Sequence, residues 1–172
     1  MLYEHVKVLK FLADAGEVVG RKKLQKMIYI AKKLDMPFSE RYNFHMYGPY
    51  SEELSLRMEE LSNLGFVHEN KEDKGHYQQY CYSLSEQGES FLALNKIEWP
   101  ECHALVTSLN EQSSRFLELV STILYFADLT VEEVKDKVFT LKKKQNYTEE
   151  DIEAGYQYIK KLQSWQIHAM QN

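Results

Sequence analysis

The chain of 172 residues holds only two cysteines, Cys81 and Cys102, three prolines and seven glycines. Two cysteines exclude a disulfide-built scaffold. So little proline and glycine excludes collagen-like or low-complexity organisation. No apolar run reaches the roughly 18 residues that a membrane-spanning helix needs. Glu4 and the amphipathic spacing after it do not read as a secretory leader. Together these absences predict a cytoplasmic protein with no membrane partner. The familiar enzyme signatures are missing too: no Walker loop, no G-x-G-x-x-G, no G-x-S-x-G and no H-E-x-x-H. None of His5, His45, His68, His76, His103 and His168 pairs with a second ligand at zinc spacing, and the adjacent Cys102 and His103 are poorly placed to share a metal. The expectation is no metal, no cofactor and no enzyme.

What is present is an ordinary globular composition, 44% hydrophobic and 27% charged, with a net charge of −5. The first hundred residues carry 13 basic and 15 acidic side chains and the remaining 72 carry 8 and 11, so neither half is a basic module.

The apolar spacing predicts mostly helices. Leu2, Val6, Leu9 and Ala13 form one stripe that stops at Gly16. Leu24, Met27, Ile28, Ala31 and Leu34 form a second, before Pro37. Alternation through Tyr42, Phe44 and Met46 reads as a short strand, with Gly48-Pro49 as a turn. Ser51 then caps a third helix with Leu54, Met58 and Leu61 inside. Phe66 to Tyr82 reads as a hairpin with a charged loop from Glu69 to Gly75, and Ser83 with Glu86 has capping-box spacing. Trp99-Pro100 marks a boundary, giving units 1–98 and 99–172. Beyond it the pattern predicts one long helix over 104–127 and two more, opened by Thr130/Glu133 and Thr148/Asp151. The lysines 142–144 read as a solvated helix end. The 104–127 stretch is apolar nearly all round, which calls for burial on several sides, by the rest of the chain or by a second copy.

This order of elements is mainly α (α+β), with a winged-helix-like first part and a helical extension packed on it. About sixteen residues separate the second and third helices, far more than a tight helix-turn-helix requires. Two stretches resemble a known family: Gly20-Arg21-Lys22-Lys23-Leu24-Gln25-Lys26-Met27 and Phe44-His45-Met46-Tyr47-Gly48-Pro49-Tyr50-Ser51 look like the YwgA-like proteins of Gram-positive bacteria over essentially the whole chain. The resemblance implies a fold and a bacterial setting but no activity. The Tyr-Gly-Pro signature also resembles, over about the first hundred residues, the SocA-like or Panacea antitoxin-associated domains. That resemblance implies protein binding.

Two helices carry opposite charge. On the second, Arg21, Lys22, Lys23, Lys26, Lys32 and Lys33 are expected opposite the apolar stripe with Tyr29 among them, and no acid lies between Val18 and Leu34. Such a face suits phosphate contacts. On the third, Glu52, Glu53, Leu56, Glu59, Glu60 and Asn63 are expected outside. That surface repels a DNA groove and suits a basic protein. In Tyr47-Gly48-Pro49-Tyr50-Ser51 the turn and cap chemistry explains most of the residues. Three functions follow as expectations: a non-catalytic regulatory or adaptor protein with a protein partner, a DNA-binding regulator using the second helix and the wing, and an enzyme with a site near Tyr42, His45, Tyr47 and Tyr80.

Overall fold

The computed structural model describes residues 2–165; His168 lies outside them. The first helix, α1 (Tyr3–Ala15), ends at Gly16 as its spacing predicts. A strand that the pattern does not reveal follows, β1 (Glu17–Val19). Three residues between two glycines are too few to show a period. Next come α2 (Arg21–Lys33) and a small hairpin, β2 (Asn43–His45) and β3 (Gly48–Tyr50). The hairpin takes up the second part of the gap before α3 (Glu52–Asn63). The turn is at Met46-Tyr47, and Gly48-Pro49 is strand, not turn. Pro49 is tolerated there because a two-stranded sheet consists only of edges.

The larger hairpin is β4 (Val67–Asp73) and β5 (Gln78–Leu84). Its ladder runs out to Asp73–Gln78, so most of the charged stretch expected as a loop is paired strand. β1 joins β5 on its other edge, giving an antiparallel sheet of order β1-β5-β4. Then α4 (Glu86–Leu94) begins at Ser85, not Ser83; the Ser85 hydroxyl accepts the Gly88 N–H at 3.0 Å.

After Pro100 come α5 (His103–Glu111), α6 (Ser114–Tyr125), α7 (Val131–Leu141) and α8 (Glu149–Gln163). The expected single helix over 104–127 is two helices. Ser113 turns extended and caps α6 through the Phe116 N–H. The all-round apolar pattern belongs to α6 and the residues just after it, and the chain itself covers that helix on several sides: it packs on α2, α8, β3 and α7, and Leu117, Leu119, Val120 and Ile123 are all buried. Both capping boxes, Thr130/Glu133 and Thr148/Asp151, form as predicted.

The chain is thus mainly α with two small antiparallel sheets. One hydrophobic cluster runs from Val6 to Leu162, with Val8, Leu9, Phe11 and Leu12 of α1 fully buried in it. α2 is the central helix, packed on α6, β3 and α5. Its Met27, Ile28, Ile30 and Ala31 are all fully buried, so no wide solvent face is left to it.

Gly88 is the tightest backbone approach. A Cβ built there would lie 2.1 Å from the Phe66 carbonyl oxygen, which itself accepts the Ser85 N–H at 3.0 Å. Glycine to alanine in a helix ordinarily stabilises by about 1 kcal/mol. Here Gly88→Ala is expected to destabilise by about 1–3 kcal/mol, the usual cost of overpacking. Urea unfolding of the two proteins checks the sign.

Candidate functional site

A cleft of about 850 Å³ opens between α2, α3 and the β2–β3 hairpin, with Glu69 and Tyr82 of the larger sheet at its end. Leu24, Leu54 and Met58 give it an apolar floor, Lys22 and Lys26 one wall, Glu59 and Asn63 the other. Met46 and Tyr47, 78% and 48% exposed, form its lip at the hairpin turn.

One buried side chain sets the cleft's width. The Gln25 amide donates to the Ser51 carbonyl at 2.8 Å and accepts the Ser51 N–H at 2.9 Å, like a strand neighbour. Ser51 in turn caps α3 through the Leu54 N–H at 3.1 Å. Tyr42 donates its hydroxyl to the Gln25 carbonyl at 3.1 Å. Gln25 thereby ties the start of α3 to α2. The sequence offered one signal for it, a polar residue beside Leu24 and Met27 in a buried stripe. A second tie is the buried pair of Glu40, fully inaccessible, with Arg57 of α3 at 2.7 Å.

The expected open basic shelf on α2 is not there. Lys26 and Tyr29 are buried, each only 3% exposed. Arg21 donates to the Tyr82 hydroxyl at 2.9 Å and to Glu69 at 3.1 Å, with its guanidinium over the Tyr80 ring. Lys23 donates to the Asn110 carbonyl and Lys32 to the Glu40 carbonyl. Lys33 stays exposed, as does Lys22, whose ammonium lies 3.2 Å from the Tyr47 ring centroid. The cause is position: a central helix turns its cations toward neighbouring carbonyls and rings instead of toward water.

Lys26 lacks such compensation. Its ammonium reaches the Lys22 carbonyl at 3.4 Å, and among the described residues it has no other hydrogen-bond acceptor and no carboxylate within 4.0 Å. The nearby Glu118 is already engaged: Lys142 lies 3.5 Å from it and Tyr147 donates to it at 3.2 Å. Burial pushes the Lys26 ammonium down to about 8; Glu118 opposes that shift, while Lys22 and Lys142 add to it. Lys142 is the second surprise. The sequence suggested a solvated helix end, yet its side chain is buried and donates to the Met46 carbonyl at 2.8 Å. It holds the cleft's lip to the C-terminal helices.

On α3, Glu52, Leu56, Glu59, Glu60 and Asn63 are all exposed as predicted, Leu56 at 57%, but Glu59 and Asn63 also border the cleft. Glu53 accepts from Arg41 at 3.0 Å and Glu60 lies 3.4 Å from His5. In the signature, Gly48 and Pro49 are buried against α6 and Ser51 under Gln25, while the Tyr47 and Tyr50 side chains line the cleft. His45 packs near Tyr50, ring centroids 5.1 Å apart, and sits in a different sheet from His68. Cys102 donates its thiol to Asp14 at 3.2 Å, and burial, then Asp14, pushes it up to about 12. That holds it as a weakly nucleophilic thiol. Among the described residues no three His, Cys, Asp or Glu side chains group closely enough for a metal, and no helix is long and apolar enough to cross a membrane.

No family profile matches the chain. A protein of Bacillus subtilis (strain 168) named "Uncharacterized protein YwgA" is 59% identical over 162 residues, which is 94% of this chain and 98% of that protein. The chain belongs to the YwgA family. The likeness thus covers nearly the full length of both this YwgA-family chain and its Bacillus relative.

Lys26 has a measurable signature. Below pH 8 both folded and unfolded chains carry its charge, and folding costs the desolvation. Between about 8 and the ordinary 10.5 the folded state has released the proton while the unfolded state keeps it, so stability rises with pH. The Lys26 contribution from pH 8 to 10 is on the order of 1–3 kcal/mol, and the raised Cys102 thiol opposes it above pH 9, so the quantity to read is the difference between wild type and Lys26→Met. Lys26→Met should remove that contribution and be the more stable protein at pH 7, as when a buried charge is replaced by a hydrophobic residue of similar volume. Urea unfolding across that pH window checks both.

Proposed function

We propose that this chain is a non-catalytic, winged-helix-like regulatory or adaptor protein that binds another protein through the outward face of α3. What supports this reading is the sheet β1-β5-β4 with α1, α2 and α3 packed against it; in a winged-helix arrangement α3 would be the recognition helix and β4–β5 the wing. The observation that carries the reading is the charge on α3. Glu52, Glu59 and Glu60 surround the exposed Leu56, whereas the cations of α2 are largely engaged inside the chain. An acidic helix meeting a duplex faces about one phosphate charge per 1.7 Å of axis and is repelled. The same helix against a basic protein surface gains electrostatic complementarity, with the leucine as apolar anchor.

The alternative, a DNA-binding regulator, leaned on an open basic face of α2. With Lys26 buried and Lys23 and Lys32 engaged, Arg21, Lys22 and Lys33 remain exposed, and Arg21 is already paired with Glu69, which leaves few free cations for a phosphate-tracking surface. The third reading, an enzyme with a site near Tyr42, His45, Tyr47 and Tyr80, is less favoured because these residues are dispersed: His45 and Tyr47 line the cleft, while Tyr42 donates to the Gln25 carbonyl and Tyr80 lies under the Arg21 guanidinium.

Capture from host lysate on wild type, Leu56→Arg and a Glu52→Lys/Glu59→Lys/Glu60→Lys variant tests the proposal. A specific partner should be held by wild type, weaken with salt, and be lost at least about tenfold by both variants. Their stability should stay within about 0.5 kcal/mol, as for ordinary surface changes. A partner retained equally by all three, or none retained by wild type, overturns the reading. So does tight, salt-dependent binding of duplex DNA by wild type.

A further inference from the structure

The cleft holds a cationic wall of Lys26 and Lys22 that forms no ion pair among the described residues; Glu118 offsets the Lys26 charge only from beyond 4.0 Å, and the Lys22 ammonium lies over the Tyr47 ring. Lys26 is 3% exposed, its ammonium has three N–H donors, and its one acceptor among the described residues is the Lys22 carbonyl at 3.4 Å. An ion kept dry with one long hydrogen bond and no ion pair destabilises the fold, and such groups cluster where a ligand supplies a stronger partner. Lys22 adds a second ammonium on the same wall. Beside them begins α2, whose N-cap is Gly20 with no side-chain cap, so its first N–H groups receive no acceptor from a capping side chain. Arg21 and its partner Glu69 also border the cleft but are already bound to each other.

The rest of the cleft specifies the remainder of the ligand. Tyr47 and Tyr50 present ring surface, with His45 beside Tyr50. Across from the lysines, Glu59 and Asn63 offer an acceptor and a donor–acceptor pair on α3. A volume of about 850 Å³ falls within the range of small-molecule sites. Two ammonium groups and an uncapped helix start suit a dianion better than a single carboxylate. A planar group with exocyclic donors suits the tyrosine-lined middle and Glu59.

We propose that the cleft between α2, α3 and the β2–β3 hairpin is a binding site for a nucleoside monophosphate, its phosphate held by Lys26 and Lys22 and its base lying among Tyr47, Tyr50 and the Glu59 wall. This goes beyond partner binding on α3 and does not rest on it. The Leu56→Arg change leaves the cleft's lysine wall intact, so loss of partner capture and loss of ligand binding are separable results.

The test is calorimetric titration of the full chain with adenosine, guanosine, cytidine and uridine monophosphates, each against its nucleoside, with inorganic phosphate and benzoate as reference probes. At least one monophosphate is expected to bind, with its nucleoside and free phosphate both at least about tenfold weaker. Lys26→Met and Lys22→Met should each weaken it by about tenfold or more, while Lys33→Met, on a separate shallow depression with Tyr29 and Tyr125, leaves it unchanged. Lys26→Met is expected to fold at least as well as wild type, and its melting temperature verifies that. Absence of binding by all four monophosphates at millimolar concentration overturns the proposal. So does unchanged affinity in Lys26→Met, phosphate alone binding as well as any nucleotide, or benzoate binding better.

Discussion

The buried charge around Glu118 governs how the two ends of this chain meet. Lys142, at the end of α7, lies 3.5 Å from the Glu118 carboxylate and donates to the Met46 carbonyl at 2.8 Å. Tyr147 closes the carboxylate from the other side at 3.2 Å. Removing either charged partner from such a pair strands the other in low dielectric, typically at a cost of about 3–5 kcal/mol. The pair therefore specifies where the hairpin turn sits more than it adds net stability. It fixes Met46 and Tyr47, and with them one lip of the cleft. Gly48 makes the approach feasible: its φ of +91° disfavours any side chain, and a Cβ there would face Glu118 at 3.6 Å.

The other lip is fixed from α2. Gln25 pairs with the backbone of Ser51, and Arg57 reaches back to the inaccessible Glu40. Three polar ties, at Gln25–Ser51, Arg57–Glu40 and Lys142–Met46, fix the start of α3, its middle and the hairpin turn relative to the rest of the chain. Apolar packing alone would let these elements slide and close on one another. A cleft of this volume survives in so small a protein because polar groups of fixed geometry hold its walls apart.

Much of the fold could be read from spacing and caps. Ser51, Thr130 and Thr148 announce three helices, and each capping contact forms as their chemistry requires. What escaped reading was tertiary. β1 is three residues long and exists because β5 offers it an edge. The break at Ser113 sits in the polar run Asn110 to Arg115, which the apolar spacing on either side spans as if one helix continued through it. The lysines misled most. Unrolling α2 as an amphipathic helix assigns its cations to water, but a helix packed on α5, α6 and β3 has little water to offer them. Charge read along one helix cannot tell a solvated ammonium from one buried beneath a neighbour. On α3 the same method succeeded, because its outer side has no covering element and Leu56 and the glutamates remain exposed.

α3 is where the two proposed surfaces come together. Its outer side carries Glu52, Leu56 and Glu60, while Met58, Ser62 and Asn63 look into the cleft, and Glu59 borders both. A ligand in the cleft and a protein on the outer face would thus contact opposite sides of one twelve-residue helix. Proximity alone does not couple them. Coupling needs α3 to have two positions that each occupant binds unequally. The ties at Ser51 and Arg57 hold the helix at its start and middle, leaving the turn near Asn63 and Leu64 as the part with fewest polar restraints. Any communication between the surfaces would have to pass through that end, where Glu59, Ser62 and Asn63 are also the residues nearest the cleft.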